Sequence, residues 1–190
     1  MASRNIHDYQ RKYVLRNANL IRPVIYNTWY ATEFDFNIEK LEVLADKAAS
    51  LGAEVFVVDD GWFGDRDHDR AGLGDWYPNK NKFPNGLKPI IEKVKSLGMK
   101  FGIWVEPEMV NPDSNLYRKH PDWVYHFPTR KGTLFRNQLV LNLSREDVQR
   151  FVFETMDNLL SENDISYVKW YMSRSFTEPG WNDVPSTQKK

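Results

Sequence analysis

The chain has 190 residues, enough for one well-buried domain and short of the ~250 that a complete (β/α)8 barrel takes. Lys and Arg total 26 and Asp and Glu total 26, so no net field favours nucleic acid or an anionic membrane surface. The absence of cysteine excludes disulfides and thiolate metal sites.

Residues 1–22 carry Arg4, Arg11, Lys12, Arg16 and Arg22 against Asp8 alone. This segment reads as a leader or linker, with a short amphipathic helix as the alternative. It has no apolar signal-peptide core, and no stretch of the chain approaches a membrane span, which leads us to expect a cytoplasmic protein without a membrane partner. The run from Pro23 to Trp29 is β-branched and aromatic, as a strand requires. From Asn37, apolar residues recur at Ile38, Leu41, Leu44, Ala45, Ala48 and Leu51, which predicts a helix capped by Asn37 and stopped at Gly52. Val55 to Val58 is continuously apolar, the pattern of a strand covered on both faces, and it ends in Asp59-Asp60-Gly61-Trp62.

A polar, glycine-rich loop over 60–86 precedes a helix at 87–97 that stops at Gly98. Lys100 to Val105 is the next strand, ending in Glu106-Pro107-Glu108. A helix or turn falls around 112–120, and Leu139 to Leu143 is a candidate short extra strand. Ser144-Arg145-Glu146-Asp147 fits a capping box leading into a helix over 145–161, and the last strand covers 166–172. The tail over 182–190 reads as disordered. Strand and helix thus alternate, which predicts βαβ units and a parallel sheet, either doubly wound or part of a barrel. No glycine-rich phosphate fingerprint follows the first strand, which counts against dinucleotide binding.

In parallel α/β folds the reactive groups gather at the C-terminal ends of strands. Here those ends present Trp29-Tyr30, Asp59-Asp60-Gly61-Trp62, Glu106-Pro107-Glu108 and Lys169-Trp170-Tyr171. A sugar offers hydroxyls that need acceptors and a C–H face that suits an aromatic ring, so paired acids beside tryptophans suit a carbohydrate. The competing readings are core packing for the tryptophans and helix capping for the acids. Arg136 could hold a carboxylate, donate to substrate, or simply belong to a surface loop. His68, inside an acidic loop, reads as solvated, and His7, His120 and His126 have no partners at ligand spacing, so no metal site and no cofactor are expected.

These strand ends occur in an order that resembles the front half of the catalytic barrel of glycoside hydrolase family 36, the bacterial α-galactosidases. The matching segments include Arg22 to Trp29, Asp59 to Gly64, Gly72 to Trp76, Phe83 to Leu87, Gly98 to Trp104, Glu106 to Val110, Tyr117 to Trp123, Arg136 to Leu141 and Lys169-Trp170. Together they cover most of residues 22–181. The resemblance implies half of a (β/α)8 barrel over 23–181 and a retaining glycosidase site. It implies that Asp59 and Asp60 hold galactose hydroxyls, that Trp29, Trp62, Trp76 and Trp104 wall the pocket, and that Arg136 and Lys169 contact the sugar.

Four departures from the family pattern bear on activity. The family reads Lys-Trp-Asp-Met-Asn where this chain has Lys169-Trp170-Tyr171-Met172-Ser173, so Tyr171 stands at the catalytic nucleophile and Ser173 replaces an asparagine of the site. Tyr30 stands where the family usually has glutamate, and Glu33 where it commonly has an aromatic. The acid/base carboxylate belongs to a later strand of the family's barrel, and a β-sandwich normally precedes that barrel. Hydrolysis of α-galactosides is therefore expected to be lost or much weakened. A tyrosine nucleophile would need a base, for which Glu106 and Glu108 are the nearby candidates. The other reading is a non-catalytic, self-associating half-barrel that rebuilds its pocket with Tyr30 and Tyr171. Its expected partner is a second copy, as a homodimer, or a complementing half-barrel.

Overall fold

The computed structural model describes residues 2–127, 130–178 and 180. Its centre is a four-stranded parallel sheet of β1 (Ile25–Asn27), β2 (Val55–Val58), β3 (Lys100–Val105) and β6 (Tyr167–Trp170), side by side in chain order. Three amphipathic helices connect successive strands: α3 (Ile38–Ser50), α4 (Lys88–Ser96) and α6 (Glu146–Glu162). This succession of parallel strands and helices is the α/β architecture of a partial barrel.

The helices cover one face of the sheet. Leu41, Ala45 and Ala48 of α3, Ile90, Ile91 and Val94 of α4, and Met156 and Leu159 of α6 join Phe56, Val58, Phe101 and Ile103 in one apolar core. Their spacing of three and four along each helix puts them on a single stripe, and the loss of water from that stripe drives the packing. Asn37 caps α3 as expected, its side chain accepting from the Lys40 amide at 3.0 Å, and Gly52 takes the positive φ of 82° that ends the helix.

A smaller layer sits beyond β3. There β4 (Met109–Val110) pairs antiparallel with β5 (Leu139–Val140), next to α5 (Asn115–Lys119), whose first turn is capped by Ser114. The expected extra strand is thus present but short, and its partner β4 lies within the run after Glu106-Pro107-Glu108.

One expectation is corrected. Ser144 does not cap α6: its hydroxyl lies 2.9 Å from that of Tyr125, the N-cap position belongs to Arg145, and Asp147 accepts from Arg145 and the Val148 amide instead. Within residues 1–22 the helical alternative is the one found, with α1 over Ala2–Tyr9 continued by a wider turn over Gln10–Val14, and these two elements bury no side chain. The short element α2 (Trp29–Thr32) follows β1 directly. The tail at 182–190 lies outside the described residues. Among the described residues no helix is long and apolar enough to cross a membrane.

Candidate active site

Side chains alternate across a strand, so the face opposite the helices is chosen by parity. Register places Asn27 beside Val57, Val57 beside Gly102 and Gly102 beside Tyr167, and two residues further on Trp104 stands beside Lys169. The absence of a side chain at Gly102 makes room there. A Cβ would lie 2.9 Å from Val57 Cγ2 and 3.1 Å from the Tyr167 ring. Above this floor a cavity of about 720 Å³ opens at the C-terminal ends of the strands.

Asp59 is the pivot of the site. It is buried; its Oδ2 accepts from Lys169 Nζ at 2.7 Å and from Asn27 Nδ2 at 2.5 Å, while Oδ1 accepts from the Asp60 amide at 2.9 Å. Three strands thus converge on one carboxylate: β1 supplies Asn27, the residue just after β2 is Asp59 itself, and β6 supplies Lys169. Asp60 faces a different partner. Arg66, 2% exposed, grips it bidentately, with Nε 2.7 Å from Oδ1 and Nη2 2.8 Å from Oδ2. Paired fork contacts of this kind fix a carboxylate in orientation as well as in charge.

Trp29 and Trp104 line the cavity, and so does Arg136. Arg136 is exposed and sits with Asn137 at positive φ, 53° and 59°, in a two-residue turn closed by mutual backbone bonds between Phe135 and Gln138. Both central residues of a tight hairpin take positive φ only against a steric cost outside glycine. The turn carries the guanidinium onto the cavity rim.

Tyr171 lines the same cavity. Its backbone amide still bonds Val105 O at 2.8 Å, its ring centroid is 6.3 Å from that of Trp104, and Lys169 Nζ lies 5.5 Å from the ring centre. Its hydroxyl has no hydrogen-bond partner among the described residues. Neither proposed base touches it. Glu106 accepts from the Ser173 amide at 2.5 Å and from Gln138 Nε2 at 3.1 Å, with the Ser173 hydroxyl 2.6 Å away. Glu108 accepts from Trp170 Nε1 at 2.8 Å. The geometry therefore offers no base-activated tyrosine. Burial pushes the Glu106 carboxyl up from its ordinary range, and its Ser173 hydrogen bonds oppose the rise.

All the residues expected at the site line the cavity except Trp62 and Trp76. Trp62, just after Gly61 at φ 100°, is fully buried, with its indole N–H donating to Trp104 O at 2.8 Å. Trp76 packs 4.3 Å from the Phe63 ring and faces a separate recess of about 490 Å³ beside Trp123 and Phe151. Both serve the core under the site, and the wall role expected of them is corrected. Ser173 does reach the cavity, with its hydroxyl engaged by Glu106.

Asn27 and Arg66 belong to the site and were not singled out from the sequence. Asn27 shares strand parity with Trp29, which was a usable signal. Arg66 sits in the glycine-rich loop six residues after its carboxylate, where nothing in the pattern marks it.

The melibiase family model matches residues 1–190. Among curated proteins the chain is 50% identical over 190 residues to alpha-galactosidase AgaA of Geobacillus stearothermophilus, covering 99% of this chain and 26% of that protein. It is 48% identical over 189 residues to alpha-galactosidase C of Emericella nidulans, covering 93% of this chain and 25% of that protein. Among solved structures, that of the GH36 enzyme AgaA superposes with a TM-score of 0.93 over 97% of this chain, and the Lactobacillus brevis alpha-galactosidase with 0.94 over 99% at 42% identity. A variant of AgaA solved in complex with raffinose superposes with a TM-score of 0.94. The chain spans 26% of the length of each of these three solved structures.

Proposed function

The chain belongs to the melibiase family, and from that premise we propose that its cavity holds the terminal galactosyl unit of an α-galactoside, with hydrolysis weakened or lost. The observation that carries this reading is the convergence of Asp59, Lys169 and Asn27 beside the Asp60–Arg66 pair. Together they set acceptors and a cation at fixed positions under the rim formed by Trp29, Trp104 and Arg136. Fixed acceptors bind sugar hydroxyls, and the aromatic rings take the C–H face.

Retaining hydrolysis passes through a covalent glycosyl–enzyme ester formed by a carboxylate. Tyr171 offers a phenol without a contacting base, so the covalent step is expected to slow by several orders of magnitude. The test pairs calorimetric binding of raffinose with turnover of p-nitrophenyl α-galactoside. Both are measured for the chain and for Tyr171→Asp, alone and mixed with a polypeptide supplying the remaining barrel strands. Raffinose binding by both chains, with turnover restored only by the aspartate, supports the reading. Failure of both chains to bind raffinose sinks the galactoside assignment, and equal turnover by both sinks the role given to Tyr171.

A second reading rests on the sheet edges. Among the described residues β1 and β6 are each paired on one side only, with Ile25, Tyr167 and Trp170 exposed along them. Unpaired apolar edges favour association with another half-barrel, a second copy of this chain included. Light scattering decides: a monomer at high concentration removes the self-association reading and leaves the galactoside reading intact.

A further inference from the structure

Asn111 takes no part in the site as described, yet it is fully buried directly behind it. Its Oδ1 accepts from Arg66 Nη1 at 3.0 Å and from the Leu73 amide at 2.9 Å. Its Nδ2 donates to Asn137 O at 2.7 Å, with Asp69 O further away at 3.4 Å. One amide side chain thus fastens the arginine that grips Asp60 and the turn that carries Arg136.

We propose that Asn111 is a positioning residue that couples the two halves of the sugar site, holding the Arg66–Asp60 clamp through its oxygen and the Arg136 turn through its nitrogen. The turn needs such a hold. Arg136 and Asn137 both occupy the left-handed region, which side chains enter only when their surroundings enforce it. The enforcement comes from two sides. Asn111 takes the Asn137 carbonyl, and on the other side the buried Arg174 guanidinium donates to Thr133 O and Gln138 O. Asn137 Nδ2 adds a bond of 3.2 Å to Asp69 Oδ2. Arg66 has an independent acceptor in Ala71 O at 2.8 Å, so the clamp depends on Asn111 less than the turn does.

The two ends of the amide can be separated by substitution. Asn111→Asp keeps an oxygen acceptor for Arg66 and Leu73 and places a second oxygen against the Asn137 carbonyl, where only a donor fits. Asn111→Ala removes both ends. Hydrogen exchange followed by mass spectrometry on the full chain, without ligand, reads the outcome directly. Asn111→Asp is expected to lose protection in the peptide over 134–141 and to keep it over 66–76. Asn111→Ala is expected to lose both, and the peptides of β2 and β3 remain protected throughout. Unchanged exchange over 134–141 in Asn111→Asp overturns the proposal. So does a loss spread evenly through β2 and β3, which marks a general loosening.

The consequence for binding rests on the galactoside reading and is tested separately. Where the unsubstituted chain binds raffinose, Asn111→Asp is expected to weaken it roughly tenfold, the worth of about one well-placed hydrogen bond. Arg136→Ala is expected to do the same, and the double variant no more than either alone, because both changes remove one contact. Additive losses overturn the claim that Asn111 acts through Arg136. Absence of raffinose binding by the unsubstituted chain condemns the galactoside reading, while the exchange experiment still decides the coupling.

Discussion

Removing Arg66 tests whether the buried ion pair holds the site together or merely decorates it. The Arg66 side chain is 2% exposed and that of Asp60 10%. Both carboxylate oxygens of Asp60 accept from this one guanidinium, and among the described residues they have no other side-chain donor. Arg66→Met keeps much of the volume and leaves the carboxylate uncompensated in a low-dielectric surrounding. Breaking a buried pair in this way costs about 3–5 kcal/mol, well beyond an exposed pair's worth of up to about 1 kcal/mol. The same change strips a donor from Ala71 O and from Asn111 Oδ1.

A double variant isolates the charge. Arg66→Met with Asp60→Asn shares the lost donors and replaces the stranded ion by a neutral amide, whose unmade hydrogen bonds cost about 1–3 kcal/mol. The double variant is therefore expected to exceed Arg66→Met in stability by about 2 kcal/mol. Urea unfolding followed by fluorescence of the buried tryptophans measures both. With a slope of about 2 kcal/mol per molar urea, Arg66→Met should lower the midpoint by about 2 M, and the second substitution should return about 1 M. A midpoint shift below about 0.5 M, or a double variant no better than the single, refutes the reasoning that Asp60 depends on this cation.

Three further outcomes follow from the geometry. Gly102→Ala places a methyl 2.9 Å from Val57 Cγ2 at the cavity floor, and overpacking there is expected to cost about 1–3 kcal/mol by the same urea assay. Asn37→Ala removes the cap of α3 and should cost about 1 kcal/mol, with Asn37→Ser recovering most of it. Glu106 has a folded carboxyl raised above the ordinary 4.5 by burial, so the folded chain keeps a proton that the unfolded chain releases. Stability from this group is present below 4.5 and falls as pH rises through the window above it. Unfolding midpoints taken across that window should fall less steeply in Glu106→Gln than in the parent chain.

Much of the fold was legible because its elements follow simple periodicities. Val55 to Val58 is apolar without interruption, and it is the strand with all four residues buried. The stripes of α3 and α4 have helical spacing and pack where that spacing directs them. What escaped were contacts set by tertiary turns. Trp62 follows a strand-end aspartate pair, which suggested a wall, yet after Gly61, at positive φ, the indole is buried and donates to the Trp104 carbonyl of β3. Arg66 finds Asp60 because the loop folds back on itself, an event without periodicity. The failed capping box has the same origin. Ser144 had the right spacing, and the tertiary neighbour Tyr125 engaged its hydroxyl.

The positions at which this chain departs from the family pattern share a physical character that explains how they can vary without endangering the fold. Tyr30 is 97% exposed, and Glu33 sits at positive φ just past α2 with its side chain outside the core. Tyr171 is half-exposed, and what binds it to the sheet is its backbone amide on Val105 O, a bond indifferent to the side chain. A carboxylate or a phenol at 171 therefore meets nearly the same packing requirement and a wholly different chemical one. Ser173 is the exception that marks the boundary. Its hydroxyl and amide both donate to Glu106, a buried carboxyl, so here the side chain adds a hydrogen bond to the one its backbone makes. The parity of the strands thus divides the sheet into a helix-facing side that fixes stability and a cavity-facing side that fixes chemistry. A substitution at position 171 therefore leaves β1, β2, β3 and β6 in their register.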